Sequence, residues 1–236
     1  MENKHFEKIS ILTPTYNRNK FLKFYIHNIK KQQYPHNLLD VIIDDDGTEP
    51  FIKDLKEVEK ELHPIKITYL RNKQKRSIGQ KRNNLVKNSK NKYFIFFDDD
   101  DLYNPICILY CYTMLKNNKW GICGTNQMIF CHVKDNFKCS AIQCKAKRQI
   151  HESGLFFTKK YFRSQGGFKT KGVGEGTSMI DGHNDEAVGL LECKNMLVCI
   201  NHGENTVCKD VFNNEKNIIK VEFDDETKQL IIDTFL

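Results

Sequence analysis

The stretch YFIFFDDDDLY, Tyr93–Tyr103, runs five apolar residues directly into four consecutive carboxylates. Carboxylates that dense repel one another and raise each other's pKa unless a cation or a ligand lies opposite. The apolar half has the length and composition of a buried strand, so Asp98–Asp101 stand at a strand's carboxyl end. Outward from there, the preceding QKRNNLVKNSK predicts a short helix, RNKQKRSIG a basic loop, and IKITYL another strand. Residues 51–62 read as a charged helix, and LLDVII is a buried strand closed by DDDGTEP, where Gly47 and Pro50 supply turn chemistry. At the start, ISILTPTYNR begins as a strand and breaks at Pro14, and Leu22, Tyr25, Ile26 and Ile29 give Lys20–Lys31 helical spacing.

Strands and helices therefore alternate through the first hundred residues. That order predicts a single Rossmann-like α/β domain with a mostly parallel central sheet, and such sheets bind ligands outside the carboxyl ends of their strands. Thr13–Asn17, Asp44–Asp46 and Asp98–Asp101 all fall at such ends. Downstream the pattern loosens into a helix over Ile106–Leu115, a strand near Trp120–Gly124, and glycine-rich loops in SQGGF and KGVGEG. One more strand lies in MLVCINHGENTV, and the segment from Asn213 onward reads as a peripheral tail.

At 236 residues and 39% hydrophobic content the chain can bury one substantial core. Its first ten residues carry no apolar targeting core and no later run is long enough to span a bilayer, so a soluble, cytoplasmic protein is expected. Nine cysteines without a CxxC pair predict reduced thiols rather than a disulfide framework. Cys139, Cys144, His132 and His151 could be read as zinc ligands, but the paired spacing of such sites is missing. A net charge of +7 favours polyanionic partners. The lysines are spread along the chain, so charge alone does not choose between nucleic acid and a nucleotide's phosphates.

Two carboxylate clusters at strand ends call for a hard divalent cation, Mg²⁺ or Mn²⁺, bridging aspartates to a nucleotide's diphosphate. The bland reading is a solvated acidic turn. Together, ISILTPTYNR, VIIDDDGTEP, SIGQKRNNLVKNSKNKYFIFFDDDDLY and QGGF resemble glycosyltransferase family 2, whose nucleotide-sugar-dependent members share the glycosyltransferase-A fold. The resemblance covers residues 8–210 and implies a transferase domain over 1–210 with a C-terminal extension over 211–236 packed on it or trailing it.

The resemblance also implies roles. Thr13, Thr15 and Tyr16 with Asp45 and Asp46 would hold the nucleoside, Asp45 contacting the base. Asp98 would lie nearer the ribose and Asp100 on the metal, with Asp98 as a further metal ligand and Asp99 and Asp101 as substitutes if the register slips by one. Arg82 would sit beside the nucleotide, with Lys81, Lys75 and Arg76 as weaker candidates, and Gly79 would let the backbone pass close to the ligand. Gly166 and Gly167 would let amides approach the sugar or its acceptor. The catalytic base falls on Glu175, where the family's Glu-Asp pair is broken by Gly176, then on Asp185, then on Asp181. His202 would complete the metal shell, and the ENT after it resembles sequences in glycosyltransferases of large DNA viruses.

The activity so implied is metal-dependent, inverting transfer from a nucleoside diphosphate sugar, UDP-sugar by default, to a hydroxyl on a glycan, protein or lipid. A sugar-phosphate nucleotidylyltransferase would carry a glycine-rich, lysine-containing signature near the N-terminus, which LTPTYNRNK lacks. Nucleic-acid binding through RNKQKRSIGQKRNNLVK would not need the aspartates. A lectin-like module would result if no carboxylate stood at the base position.

Overall fold

The computed structural model describes residues 6–144, 149–170, 174–180, 185–205 and 208–236. In its first half β1 (Ile9–Thr15), α1 (Leu22–Lys30), β2 (Leu39–Asp45), α2 (Leu55–Leu62), β3 (Lys66–Arg71), α3 (Ile78–Asn88) and β4 (Tyr93–Phe96) follow the expected alternation. Then come β5 (Asp101–Tyr103), α4 (Cys107–Asn118), β6 (Ile122–Gly124), β7 (Gln127–His132), β8 (Lys138–Gln143), β9 (Phe156–Thr158) and α5 (Lys159–Ser164). The chain ends with α6 (Thr177–Ile180), β10 (Val188–Leu190), β11 (Leu197–Asn201), β12 (Ile218–Ile219) and α7 (Asp225–Phe235).

Seven strands form the central sheet in the order β10-β6-β9-β4-β1-β2-β3. β1 pairs in parallel with β2 and β4, β2 with β3, and β10 with β6, whereas β9 runs antiparallel to β4 and β6. Every residue of β1 is buried, as expected of a parallel strand covered on both faces. Alternation divides its side chains: Ile9 and Ile11 meet Ile26, Ile29 and Cys111 on one face, while Leu12 joins Leu85, Val86, Phe94 and Phe96 on the other. The register sets Thr15 opposite Asp45 and Asp45 opposite Arg71, so the chemistry-bearing ends of three strands share one rim.

α3 starts sharply because Ser77 and Gln80 form a reciprocal capping box, which fixes the basic loop's exit beside that rim. A second sheet, β12-β8-β7-β11-β5, lies beyond the first and was not foreseen from the sequence. Its short strands pair residues far apart in the chain, as where Asp101 meets Cys199 across the antiparallel β5–β11 pair. The segment beyond Asn213 is packed rather than peripheral: Ile231 and Phe235 of α7 join Phe21, Phe24 and Ile200 in a third core cluster. No helix among the described residues is long and apolar enough to cross a membrane. All nine cysteines are free thiols.

Candidate active site

The two acidic runs meet different surroundings. At the end of β2, Asp45 accepts from Gly47 N–H and Phe51 N–H (both 2.8 Å), Tyr69 Oη (2.5 Å) and Arg71 Nη1 (2.7 Å). Asp44 takes Asn72 (3.0 Å), Asn84 (2.7 Å) and Arg76, and burial still pushes its carboxyl up. Asp46 accepts from the Arg76 amide (2.6 Å) and from Lys81 Nζ (2.7 Å), and Lys81 also donates to the Thr15 carbonyl (2.8 Å). The side chains of all three are fully covered. Asp45 and Asp46, which the family resemblance assigns to the nucleoside, thus spend their oxygens on the turn and on the basic loop. Lys81 and Arg76 serve as their partners.

The nearby loop from β1 has a similar inward bias. Thr13 donates to the Phe97 carbonyl (2.8 Å) and shares a hydrogen bond with Tyr25 (2.6 Å), so its hydroxyl faces the core. Thr15 donates to Asp99, which is buried. Tyr16 presents its ring to the ammonium of Lys75, 4.1 Å from the centroid. Asn17, in the left-handed region at φ 54°, ties this loop to Thr48 N–H (2.7 Å).

The row after β4 is less well satisfied. Asp99 and Asp101 are buried and Asp98 and Asp100 partly buried, and burial pushes Asp98 up to about 7 despite the attraction of Arg82, with the charges of Asp101 and Asp100 adding to the rise. Burial and the Asp100 charge raise Asp99 strongly. Burial would raise Asp100 as well, but His202 (Nε2 to Oδ2 3.2 Å), Lys209 and Arg18 (3.7 Å) hold it below the ordinary range. Asp101 accepts from Ser153 (2.9 Å) and faces Lys209 Nζ at 3.6 Å. Burial would lower the Lys209 pKa, yet Asp101, Asp100 and Asp98 raise it. What stands opposite the four aspartates is a ring of cations from distant parts of the chain: Arg18, Arg82 and Lys209, with His202 beside them.

A cavity of about 500 Å³ opens over this row, with Asp98, Asp100, Asp101, Arg82, Glu152 and Lys209 on its wall. His202, in contact with Asp100 of this wall, is held between the rings of Phe21 (5.0 Å) and Phe235 (4.9 Å), so α7 fastens it. Among the described residues no three His, Cys, Asp or Glu side chains converge into a ready metal cage. The pair Asp100–His202, with Asp98 on the same wall, nonetheless has the oxygen and imidazole chemistry that suits a divalent ion. Its remaining ligands would have to come from a bound molecule.

Several other expectations change in place or role. Gly79 makes room for the chain itself, since a Cβ there would stand 1.8 Å from the Lys169 carbonyl oxygen. Gly166 and Gly167 lie in the left-handed region (φ 74° and 83°) and turn the chain out of α5, their amides bonding to Arg163 and Phe162 carbonyls (3.3 and 3.2 Å). Glu175 is buried against Arg82, whose guanidinium lies over Phe96 at 4.9 Å. Burial raises the Glu175 carboxyl while Arg82 opposes the rise. Asp185 begins a 3₁₀ turn but its side chain lies outside the described set, as does all of Asp181. Of the zinc reading, His132 is engaged by Ser140 and Asn201 (both 2.9 Å), and only Cys144 and His151 approach each other, at 3.5 Å. Lys209 and Glu152 were missed: neither sits in a periodic segment, and only the fold brings them to the row.

A mostly parallel sheet with an acidic, cation-faced cavity at its strand ends is an architecture of the glycosyltransferase-A type. The model of the family "Glycosyl transferase family 2" matches residues 10–178, more than half of the chain, and the chain belongs to that family. It is 26% identical to TuaG of Bacillus subtilis over 39% of this chain and 36% of that protein. The fold matches residues 1–349 of S. aureus TarS with a TM-score of 0.63 at 16% identity, over 82% of this chain and 60% of that one, and the same fragment also matches in complexes with UDP and with UDP-GlcNAc. It also matches mannosyltransferase PcManGT of Pyrobaculum calidifontis in complex with GDP-Man and Mn²⁺, with a TM-score of 0.63 at 16% identity, over 84% of this chain and 57% of that one. This chain spans between 17% and 36% of the length of the curated relatives it matches.

Proposed function

We propose that the chain transfers a sugar, with inversion at the anomeric carbon, from a nucleoside diphosphate sugar to a hydroxyl acceptor, with UDP-sugar as the first donor to test. The observation that carries this reading is the cavity at the carboxyl ends of the parallel strands, where Asp98, Asp100 and Asp101 stand across from Arg82 and Lys209. A purely structural acid row would be satisfied internally, as Asp44–Asp46 are. The fold neighbours captured with UDP, UDP-GlcNAc and GDP-Man with Mn²⁺ support the choice of donor class.

Asp98, Asp100 and His202 would hold a divalent ion, whose chemistry is to neutralise charge on the departing diphosphate. Arg82 and Lys209 add fixed positive charge where negative charge develops. Lys81, Arg76 and Asp44–Asp46 keep the rim's loops in place, so the donor meets a preformed wall.

The test is a panel of nucleotide sugars with Mn²⁺, read by thermal stabilisation and by slow donor hydrolysis. A donor that raises Tm and is hydrolysed supports the reading. If UDP, GDP and their sugars all leave Tm unchanged with Mn²⁺ present, the reading is wrong.

A further inference from the structure

The amino ends of the central strands carry a second pocket, away from the acidic row. It holds about 480 Å³ and opens where β4, β6 and α5 begin, beside Tyr93, Gly121 and Lys159. From Tyr93 to Asp98 the chain advances five residues, roughly 15 Å of extended backbone, so the two cavities lie at opposite ends of β4. Four lysines, Lys92, Lys119, Lys159 and Lys160, stand on the wall of this pocket, and among the described residues no carboxylate does. Lys92 meets Glu7 at 3.5 Å and Lys159 donates to the Ser89 carbonyl (2.6 Å), while Lys119 and Lys160 are exposed.

Trp120, the chain's single tryptophan, also borders the pocket. A Cβ added to Gly189 would stand 1.9 Å from its Cε3 and 2.3 Å from both Cδ2 and Cζ3, distances that put the backbone of β10 over one face of the indole rather than at its edge. The ring is thereby fixed, and it stays half-exposed. Next to it, a Cβ on Gly121 would stand 2.3 Å from Tyr161 Cδ2, and Tyr161 Oη donates to the Met179 carbonyl (2.8 Å), so this wall is held from behind. A preformed concave site with an accessible aromatic ring and a surplus of positive charge suits a ring-shaped ligand that carries negative charge.

We propose that this pocket binds one unit of an acidic glycan, with the sugar ring on Trp120 and its carboxylate or phosphate among the lysines. A nucleic-acid strand is held by a basic groove with successive exposed rings, whereas here Tyr93 and Tyr161 are buried beside the one half-exposed indole. The site gives a charged glycan a hold apart from the donor cavity. Its role as an anchor for the acceptor rests on the transferase reading above; the binding itself does not.

With one tryptophan in the chain, intrinsic fluorescence reports on this pocket directly. The experiment titrates wild type and the double variant Lys119→Asn with Lys160→Gln with tetragalacturonate, glucose 6-phosphate, maltotetraose, inorganic phosphate and a short oligothymidylate. Asparagine is chosen because Lys119 lies in the left-handed region at φ 57°. Calorimetry with UDP and Mn²⁺ runs alongside. Tetragalacturonate or glucose 6-phosphate should shift the Trp120 emission with a Kd below about 1 mM, the tighter of the two naming the anionic group. The double variant should weaken that binding about fivefold or more, the scale of two exposed charges, and keep UDP affinity within about twofold. No emission change with either acidic sugar overturns the proposal. So does maltotetraose or inorganic phosphate binding as tightly, the latter meaning an adventitious ion only, or tighter binding of the oligothymidylate. Unchanged acidic-sugar affinity in the double variant overturns it too, as does UDP affinity falling in step. A chain that reports acidic sugars through Trp120 but neither binds UDP nor hydrolyses a nucleotide sugar loses the transferase reading and keeps the pocket. One that is active on donors with a silent Trp120 loses only the pocket.

Discussion

Asp44–Asp46 and Asp98–Asp101 are near-identical runs at the ends of parallel strands, yet one is spent and the other is held open. Around Asp45 four protein donors lie within 2.8 Å, so its charge is consumed in fixing the turn. Around Asp100 and Asp101 the contacts are longer, from Ser153 Oγ at 2.9 Å and His202 Nε2 at 3.2 Å to Lys209 Nζ at 3.6 Å and Arg18 Nη1 at 3.7 Å, and they come from loops and strand ends scattered along the chain. Short, saturated hydrogen bonds are the mark of a carboxylate that holds structure. Longer contacts around a cavity, with Asp98 raised by burial, are the mark of one awaiting a ligand.

The comparison can be broken most severely at Arg82. Arg82→Met leaves the buried Glu175 carboxylate unpaired and should cost about 3–5 kcal/mol of unfolding free energy, with much of that recovered when Glu175 also becomes Met; denaturant midpoints check it. Next, Asp100→Ala should weaken Mn²⁺-dependent UDP binding by roughly a hundredfold, about 2.8 kcal/mol, with little change in Tm, as calorimetry would show. Asp45→Asn should do the reverse, lowering stability by about 1–3 kcal/mol through the donors it strands. Equal losses of UDP affinity in Asp45→Asn and Asp100→Ala would erase the distinction between the two rows. The smallest effect belongs to the α7 cap: Asp224 accepts from Thr227 N–H at 2.7 Å, and Asp224→Ala should cost about 1 kcal/mol by thermal melting.

The first hundred residues were legible because β1, β2 and β4 are buried on both faces, β3 alternates as an edge strand, and each helix shows its stripe. Ser77 and Gln80 even spell out their cap. The row Asp98–Asp101 and its place at a strand end were legible for the same reason. The second sheet was not: the strand in MLVCINHGENTV is there as Leu197–Asn201, but its partner Asp101–Tyr103 is three residues long and lies almost a hundred residues earlier. The packing of α7 is not legible locally, since its burial rests on a few side chains, chiefly Ile231 and Phe235, whose partners Phe21 and Phe24 lie some two hundred residues earlier. Saturation was equally hidden. No local pattern tells that Asp45 would meet Tyr69 and Arg71, or that Lys209 would reach Asp101.

The central claim is that the second row, and not the first, receives the cation and the donor's diphosphate. Anomalous diffraction from crystals soaked with Mn²⁺ and UDP tests it directly. The account predicts one manganese peak against Asp100 and His202 with the diphosphate in the cavity over Asp98. A peak at Asp44–Asp46, or UDP bound with no density near Asp100, would contradict it.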